Sequence, residues 1–317
     1  MHKFKISDLN SLLIILIPFG IAPLIATSYF QGVLVLLALN AILVTSFRLI
    51  TTMGGWSFAH VATMGIGAYS VAILSGEVYA IPVTATIGIG IIGAMVFGFV
   101  VSIPVLRTRQ YYFFLATFAA GEALRQSFLQ FKEITGGATG IAFIPRPEGL
   151  DGTVQYYYFV LGIWFVLSIV LKIFDKSKAG LSVKAVGLNE DLAVSLGINA
   201  WGNRSLVFVI GSGGAGLVGG LLASYNGVVS PADFSSTLMF KVVASAIVGG
   251  TTTFTGPLIG LLYLTTIEEI FRSLPQMVPM IWGVSVVVVL LFAPSGIDLK
   301  LHNWLGKISA YKGNNNA

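Results

Sequence analysis

The chain has 317 residues, of which 56% are hydrophobic and 10% charged, with a mean hydropathy of +0.88. Soluble domains carry about 25% charged residues, so this composition excludes an ordinary water-soluble fold. The net charge of +5 does not indicate nucleic acid, because the basic residues sit at the ends of apolar runs, and the absence of cysteine removes disulfides, thiolate metal sites and a Cys nucleophile.

Taken in order, the apolar runs predict ten helices, centred near residues 20, 40, 66, 92, 120, 164, 214, 243, 264 and 285. Many approach the roughly 20 residues that an α-helix needs to cross a hydrocarbon core. Lys3 and Lys5 precede the first run as in a signal peptide, but no small-residue cleavage site ends it, so it reads as a retained span. With the amino terminus in the cytoplasm, 13 basic residues fall inside and Lys132, Arg146 and Arg272 outside, while Arg125 and Lys241 lie within spans. The positive-inside rule supports that orientation. The expectation is an all-α, polytopic integral membrane protein with both termini cytoplasmic. Residues 1–299 form one transmembrane domain, followed by a basic tail over 300–317.

Two Gly-rich stretches interrupt the apolar pattern: Gly54 to Ala68, which includes Ser57 and His60, and Gly249 to Gly260, which includes Thr252 and Thr253. Irregular backbone at membrane depth is tolerated where it is packed in protein or lines a wet cavity, and paired interruptions point to a transport pathway. Close helix packing through small residues is the plainer reading of the same glycines. Between these stretches, Glu122 and Arg125 lie three residues apart on one helix face. They either contribute a polar contact to a translocation route or neutralise each other at a helix interface. His60 has the same two readings, a proton relay or a hydrogen bond to a backbone carbonyl. Gly54, Ser57, His60, Glu122, Arg125, Thr252 and Thr253 are thus the candidate pathway residues.

Lys132 to Thr153 and Asn226 to Ser236 are rich in Gly and Pro and read as external connections able to dock another protein. Leu171 to Arg204 carries Lys172, Lys176, Lys178, Lys184 and Arg204 and reads as a charged cytoplasmic loop. Inside it, Asn189 is a good helix cap, and Glu190 and Asp191 suit the positive end of a helix dipole. Leu192 and Leu196 recur at i and i+4, and Gly197 supplies a stop. This predicts a two-turn amphipathic helix whose apolar edge fills a groove on another protein.

Gly211, Gly213 and Gly216 match G-x-G-x-x-G but sit inside an apolar span with no acidic residue about 20 positions on, so dinucleotide binding is rejected. Ser212, Gly216 and Gly220 instead recur every fourth residue as a helix contact seam. No G-x-x-x-x-G-K-[ST] occurs, so any ATP is hydrolysed by another subunit, and no cofactor is expected.

Several segments resemble the LivM-type permease subunits of ATP-binding-cassette importers for branched-chain amino acids. They are GGWSFAHVATMGIGAYSVAIL from Gly54, LRTRQYYFFLATFAAGEALR from Leu106, TGGATGI from Thr135, Ala179-Gly180, Leu196-Gly197-Ile198-Asn199, Gly256-Pro257 and the run Phe292 to Ile297. Ala59 and Gln110 stand where that family usually has Gly, and Gly187-Leu188 where it commonly has a basic residue. The resemblance implies a non-enzymatic subunit that pairs with a second, similar permease, with two cytoplasmic ATPase subunits and an external substrate-binding protein. It further implies alternating access in a bacterial inner membrane, with Asn189, Glu190, Asp191, Leu192, Ala193, Leu196 and Gly197 as the ATPase-coupling segment. Leucine, isoleucine and valine are the implied cargo, and related permeases carry urea, short amides or other amino acids. The rival reading is an ion-coupled secondary transporter or channel, for which the spans offer few acidic residues.

Overall fold

A computed structural model describes residues 18–300 apart from positions 77, 109, 294 and 295. His2, Lys3, Lys5, Arg109, Pro294-Ser295, His302 and the tail beyond Lys300 lie outside the described residues, as does the first part of the expected first span. The chain folds as two compact units, residues 1–239 and 240–317.

In the first unit, residues 18–25 are helical and are followed by α1 (Ser28–Thr51), α2 (His60–Leu74), α3 (Val83–Val105), α4 (Gln110–Gln130) and the single turn α5 (Lys132–Thr135). Next come β1 (Ile141–Ala142), α6 (Thr153–Lys176), α7 (Lys178–Leu188), α8 (Glu190–Ser195), α9 (Ala200–Asn226) and β2 (Val228–Val229). Helix α10 (Ser236–Gly249) runs on into the second unit, which continues with α11 (Gly256–Ile270) and α12 (Val278–Phe292).

Each expected helix centre falls within a helix, but six segments among the described residues are long and apolar enough to cross a membrane: Ser28–Thr51, Val83–Val105, Thr153–Lys176, Ala200–Asn226, Pro231–Gly249 and Pro275–Lys300. Helices α2 and α11 have 15 residues each. That is about 22 Å of rise against a hydrocarbon core of about 30 Å. Helix α4 is long enough but is diluted by Gln110, Glu122, Arg125, Gln126 and Gln130.

Helix α9 organises the first unit, packing against α1, α2 and α3. Its glycines allow this on three sides. A Cβ on Gly214 would lie 2.4 Å from Ser46 Cβ of α1, one on Gly219 would lie 1.8 Å from the Met64 carbonyl oxygen of α2, and one on Gly213 would lie 2.7 Å from Met95 Cγ of α3. Ser212, Gly216 and Gly220 do form a seam, facing Gly98, Ala94 and Ile87 of α3 in antiparallel order. Lipid tails are as apolar as Leu, so helices associate here by close van der Waals contact, and small side chains set how near two backbones come.

The irregular backbone is shorter than the Gly-rich stretches. It covers Thr52 to Ala59, with Gly65 and Gly67 inside α2, and Gly250 to Thr255, with Gly249 inside α10 and Gly256 and Gly260 inside α11. Those helical glycines are contact positions and not breaks. The two connections expected to be external also meet: β1 and β2 pair antiparallel, with Ile141 opposite Val229 and Ala142 opposite Val228.

Gly67→Ala would place a methyl 1.8 Å from the Gly216 carbonyl oxygen. It is expected to destabilise the bundle by about 1–3 kcal/mol, the usual effect of overpacking. Gly162→Ala, where nothing lies within 4 Å, is the control and is expected to hold or raise the unfolding temperature in detergent.

Candidate functional site

The charged stretch after α6 is mostly helix, because each turn in it has a capping side chain. Ser177 Oγ accepts from Gly180 N at 3.1 Å, Asn189 Oδ1 from Leu192 N at 3.0 Å, and Asn199 Oδ1 from Gly202 N at 2.9 Å. Gly197, at φ 81°, ends α8. The expected two-turn helix is therefore present as α8, but it is preceded by the eleven-residue α7, which the density of lysines hid.

Ion pairs hold this segment to the bundle. Arg48, at the end of α1, pairs with Asp175 near the end of α6, with side chains only 5% and 11% exposed. Lys184 of α7 approaches the same carboxylate at 3.8 Å and donates to the Asp175 carbonyl at 3.2 Å. Arg204 of α9 donates to Glu190 at 3.2 Å and lies over the Phe113 ring, 5.7 Å from its centroid. Glu190 thus has a structural partner as well as its place in the first turn of α8.

The candidate coupling residues divide by direction. Ala193 is buried with Val186 and Ala200. Asn189 caps and Gly197 turns. Asp191, Leu192 and Leu196 are exposed, the two leucines by 58% and 73%, and Leu188 beside them is 89% exposed. Large aliphatic side chains this open, close in sequence to the packed Ala193, are the kind of exposed apolar surface that a partner covers.

One contact joins this segment to the first interrupted stretch. Gly54, at φ 79°, turns the chain after α1, and a Cβ there would lie 2.9 Å from the Gly187 carbonyl oxygen of α7. A Cβ on Gly187 would in turn lie 2.2 Å from the Thr52 carbonyl oxygen. Gly187 therefore has no room for a side chain, whereas Leu188, the other residue standing where similar permeases commonly have a basic side chain, is 89% exposed. No periodicity pairs these residues, and the sequence signal was only the departure at Gly187-Leu188.

Beyond the turn, Ser57 and His60 are buried. His60 Nε2 lies 3.1 Å from Ser46 Oγ and 3.3 Å from the Leu43 carbonyl oxygen. A carbonyl only accepts, and Ser46 Oγ donates to the same carbonyl, so the tautomer satisfying both contacts carries its hydrogen on Nε2. This anchors the start of α2 on α1. Ser57 Oγ and His60 Nδ1 have no hydrogen-bond partner among the described residues.

Glu122 and Arg125 do share a face of α4. Arg125 donates through Nε to one carboxylate oxygen at 3.0 Å and through a terminal nitrogen to the other at 2.5 Å, while Gln126 donates at 2.8 Å. Glu122 borders a pocket with Phe58, Val61, Phe118, Gly121 and Phe234, whose volume of about 20 Å³ holds roughly one water. It is too small for an amino acid. In the second unit, Thr253 donates to Asp298 and accepts from Gly256 N at 3.1 Å, which caps α11, and Thr252 is exposed.

The family model described as branched-chain amino acid transport system / permease component matches residues 29–294. The chain belongs to this family. It is 27% identical over 316 residues to the high-affinity branched-chain amino acid transport system permease protein LivM of Escherichia coli, covering 89% of this chain and 72% of that one. The Salmonella typhimurium protein of the same name is 26% identical over 300 residues, covering 86% and 69%. The autoinducer 2 import system permease protein LsrC of an Enterobacter species is 27% identical over 288 residues, covering 84% and 79%. No solved structure matches. With its apolar helices, the chain is a multi-pass membrane permease component.

Removing Arg48 leaves the largely buried Asp175 to the more distant Lys184, at 3.8 Å, so Arg48→Met is expected to destabilise the fold toward the lower end of about 3–5 kcal/mol. Arg48→Met combined with Asp175→Leu should recover part of that loss. Unfolding curves of the single and double variants in detergent check it, and equal curves for the two would remove this role from Arg48.

Proposed function

We propose that the chain is one membrane subunit of an importer that carries branched-chain amino acids into the cytoplasm across a bacterial inner membrane. Transport is driven by separate ATPase subunits. The observation that carries the reading is the exposure of Leu188 at the end of α7 and of Leu192 and Leu196 in and just after α8, on a segment held by Lys184 to Asp175 of α6 and by Glu190 to Arg204 of α9. An apolar edge held on a charged segment suits a groove on a soluble partner.

In this reading ATP closes a pair of ATPase subunits, and α8 follows them. Asn189, Glu190, Ala193 and Gly197 keep α8 rigid, and Asp191, Leu192 and Leu196 make the contact. The movement reaches the membrane through α7, because Gly187 and Gly54 touch backbone to backbone with no side chain between them to absorb displacement. The Gly54 turn leads directly to Ser57 and His60. A ligand or motor shifts such an equilibrium only by binding its two states differently, so the chain needs no catalytic residue of its own.

The candidate pathway residues are Gly54, Ser57, His60, Glu122 and Arg125 in the first unit and Thr252 and Thr253 in the second. The assembly contains a second, similar permease, two ATPase subunits and an external binding protein that docks near the paired strands β1 and β2. Both termini are cytoplasmic, and residues 1–299 act as one transmembrane domain. The LivM relative is named for branched-chain amino acid transport and the LsrC relative for autoinducer 2 import, so relatives at this level of similarity differ in solute. Urea, short amides and other amino acids are the alternative cargo in this reading.

Leu192→Asp is expected to reduce uptake by about tenfold or more, on the scale of a lost interface anchor, while ATP hydrolysis and the unfolding temperature persist. Leucine uptake by membrane vesicles containing the full complex checks it. Normal uptake by that variant would remove the coupling assignment. Uptake that needs no ATP and collapses with an uncoupler would establish ion coupling instead.

A further inference from the structure

The second unit contains an ion pair, buried on its lysine side, that the pathway described above does not use. Helices α10 and α11 form an antiparallel hairpin whose backbones touch at glycines. A Cβ on Gly249 would lie 1.7 Å from the Gly256 carbonyl oxygen, and one on Gly260 would lie 1.9 Å from the Ser245 carbonyl oxygen. Following the same antiparallel order away from those glycines brings Lys241 of α10 to Glu268 of α11, and the two form a salt bridge. Lys241 is 92% buried, and its ammonium lies over the ring of Trp282 of α12, 5.8 Å from the centroid.

Charges inside an apolar helix hairpin are costly and usually mark a functional position. Two further features separate this pair from a simple helix fastener. Trp282 is 93% buried, yet its indole Nε1 has no hydrogen-bond partner among the described residues, although a buried indole N–H usually finds an acceptor. The carboxylate side is open, since the Glu268 side chain is 38% exposed against 11% for Lys241. One helical turn along from the charges, Ala244 and Leu264 pack with Val278 and Trp282, and Tyr263 and Val286 line the same cluster.

We propose that Lys241, Glu268 and Trp282 form a binding site for the zwitterionic head of an α-amino acid. The inference rests on the amino-acid cargo assigned above. The arriving carboxylate accepts from Lys241 Nζ and from Trp282 Nε1, and the arriving ammonium donates to Glu268. Each charge of the protein exchanges its neighbour for the matching charge of the ligand, so the site is neutral both empty and filled. The apolar turn of Ala244 and Leu264 meets an aliphatic side chain. A ligand bearing only one of the two charges would leave Lys241 or Glu268 uncompensated, and the site discriminates against it for that reason.

The test is leucine uptake by the complete complex in proteoliposomes, with KM and maximal rate measured beside the unfolding temperature and ATP hydrolysis. Lys241→Gln combined with Glu268→Gln keeps side-chain length and one hydrogen bond between α10 and α11 while removing both charges. It is expected to lower uptake efficiency by about a hundredfold at an unchanged unfolding temperature, since two charge-assisted hydrogen bonds are lost. Trp282→Phe, which keeps an aromatic ring beside Lys241 but loses the N–H together with part of the indole volume, is expected to raise KM by about fivefold, with its unfolding temperature measured to separate the lost packing. A folded double variant with wild-type uptake would overturn this site alone. If the double variant does not fold, unchanged KM in Trp282→Phe overturns it. Wild-type complex that hydrolyses ATP but carries no leucine would overturn the amino-acid reading and this site with it.

Discussion

Helices in a bilayer gain little from hiding apolar surface from one another, because lipid already surrounds it on every side. What remains is contact distance, and this chain sets that distance with glycine. Around α9, Gly213, Gly214 and Gly219 each leave space that a neighbouring helix fills, so α1, α2 and α3 close on one axis. The same device recurs where α10 meets α11 through Gly249, Gly256 and Gly260.

With the bundle set, a few ion pairs decide what is attached to it. Arg48 and Asp175 join the ends of α1 and α6, and Arg204 and Glu190 join α9 to α8. Buried pairs of this kind add little net stability relative to apolar packing, but they penalise arrangements that separate them. The second pair fastens α8, whose packed side carries Ala193 while Leu192 and Leu196 are open. The Gly54 to Gly187 contact sets α7 against the turn between α1 and α2.

The interrupted stretches are less irregular than their glycine content implies, and the difference is physical. A glycine leaves the helix where its φ is positive, as at Gly54 and Gly250, and stays in the helix where a neighbouring backbone needs the volume of its missing side chain, as at Gly67 and Gly260. Both uses look alike in a sequence. The threonines of the second stretch also serve the fold locally, since Thr253 and Thr255 both donate to Asp298.

The membrane class, the helix centres, the Asn189 cap and the i, i+3 pairing of Glu122 with Arg125 were legible in the amino-acid sequence, because each depends on residues within a turn or two of one another. So was the family, through motifs spread along most of the chain. Helix α7 was not, since its lysines mask a helical period that becomes visible once Val183 and Val186 have a surface to bury against. The pairing of β1 with β2, the Arg48–Asp175 bridge, the Gly54–Gly187 contact and the meeting of Lys241 with Glu268 and Trp282 were decided by tertiary structure alone. They join residues tens to more than a hundred positions apart, and local chemistry contains no term for the distance between them until the helices have packed.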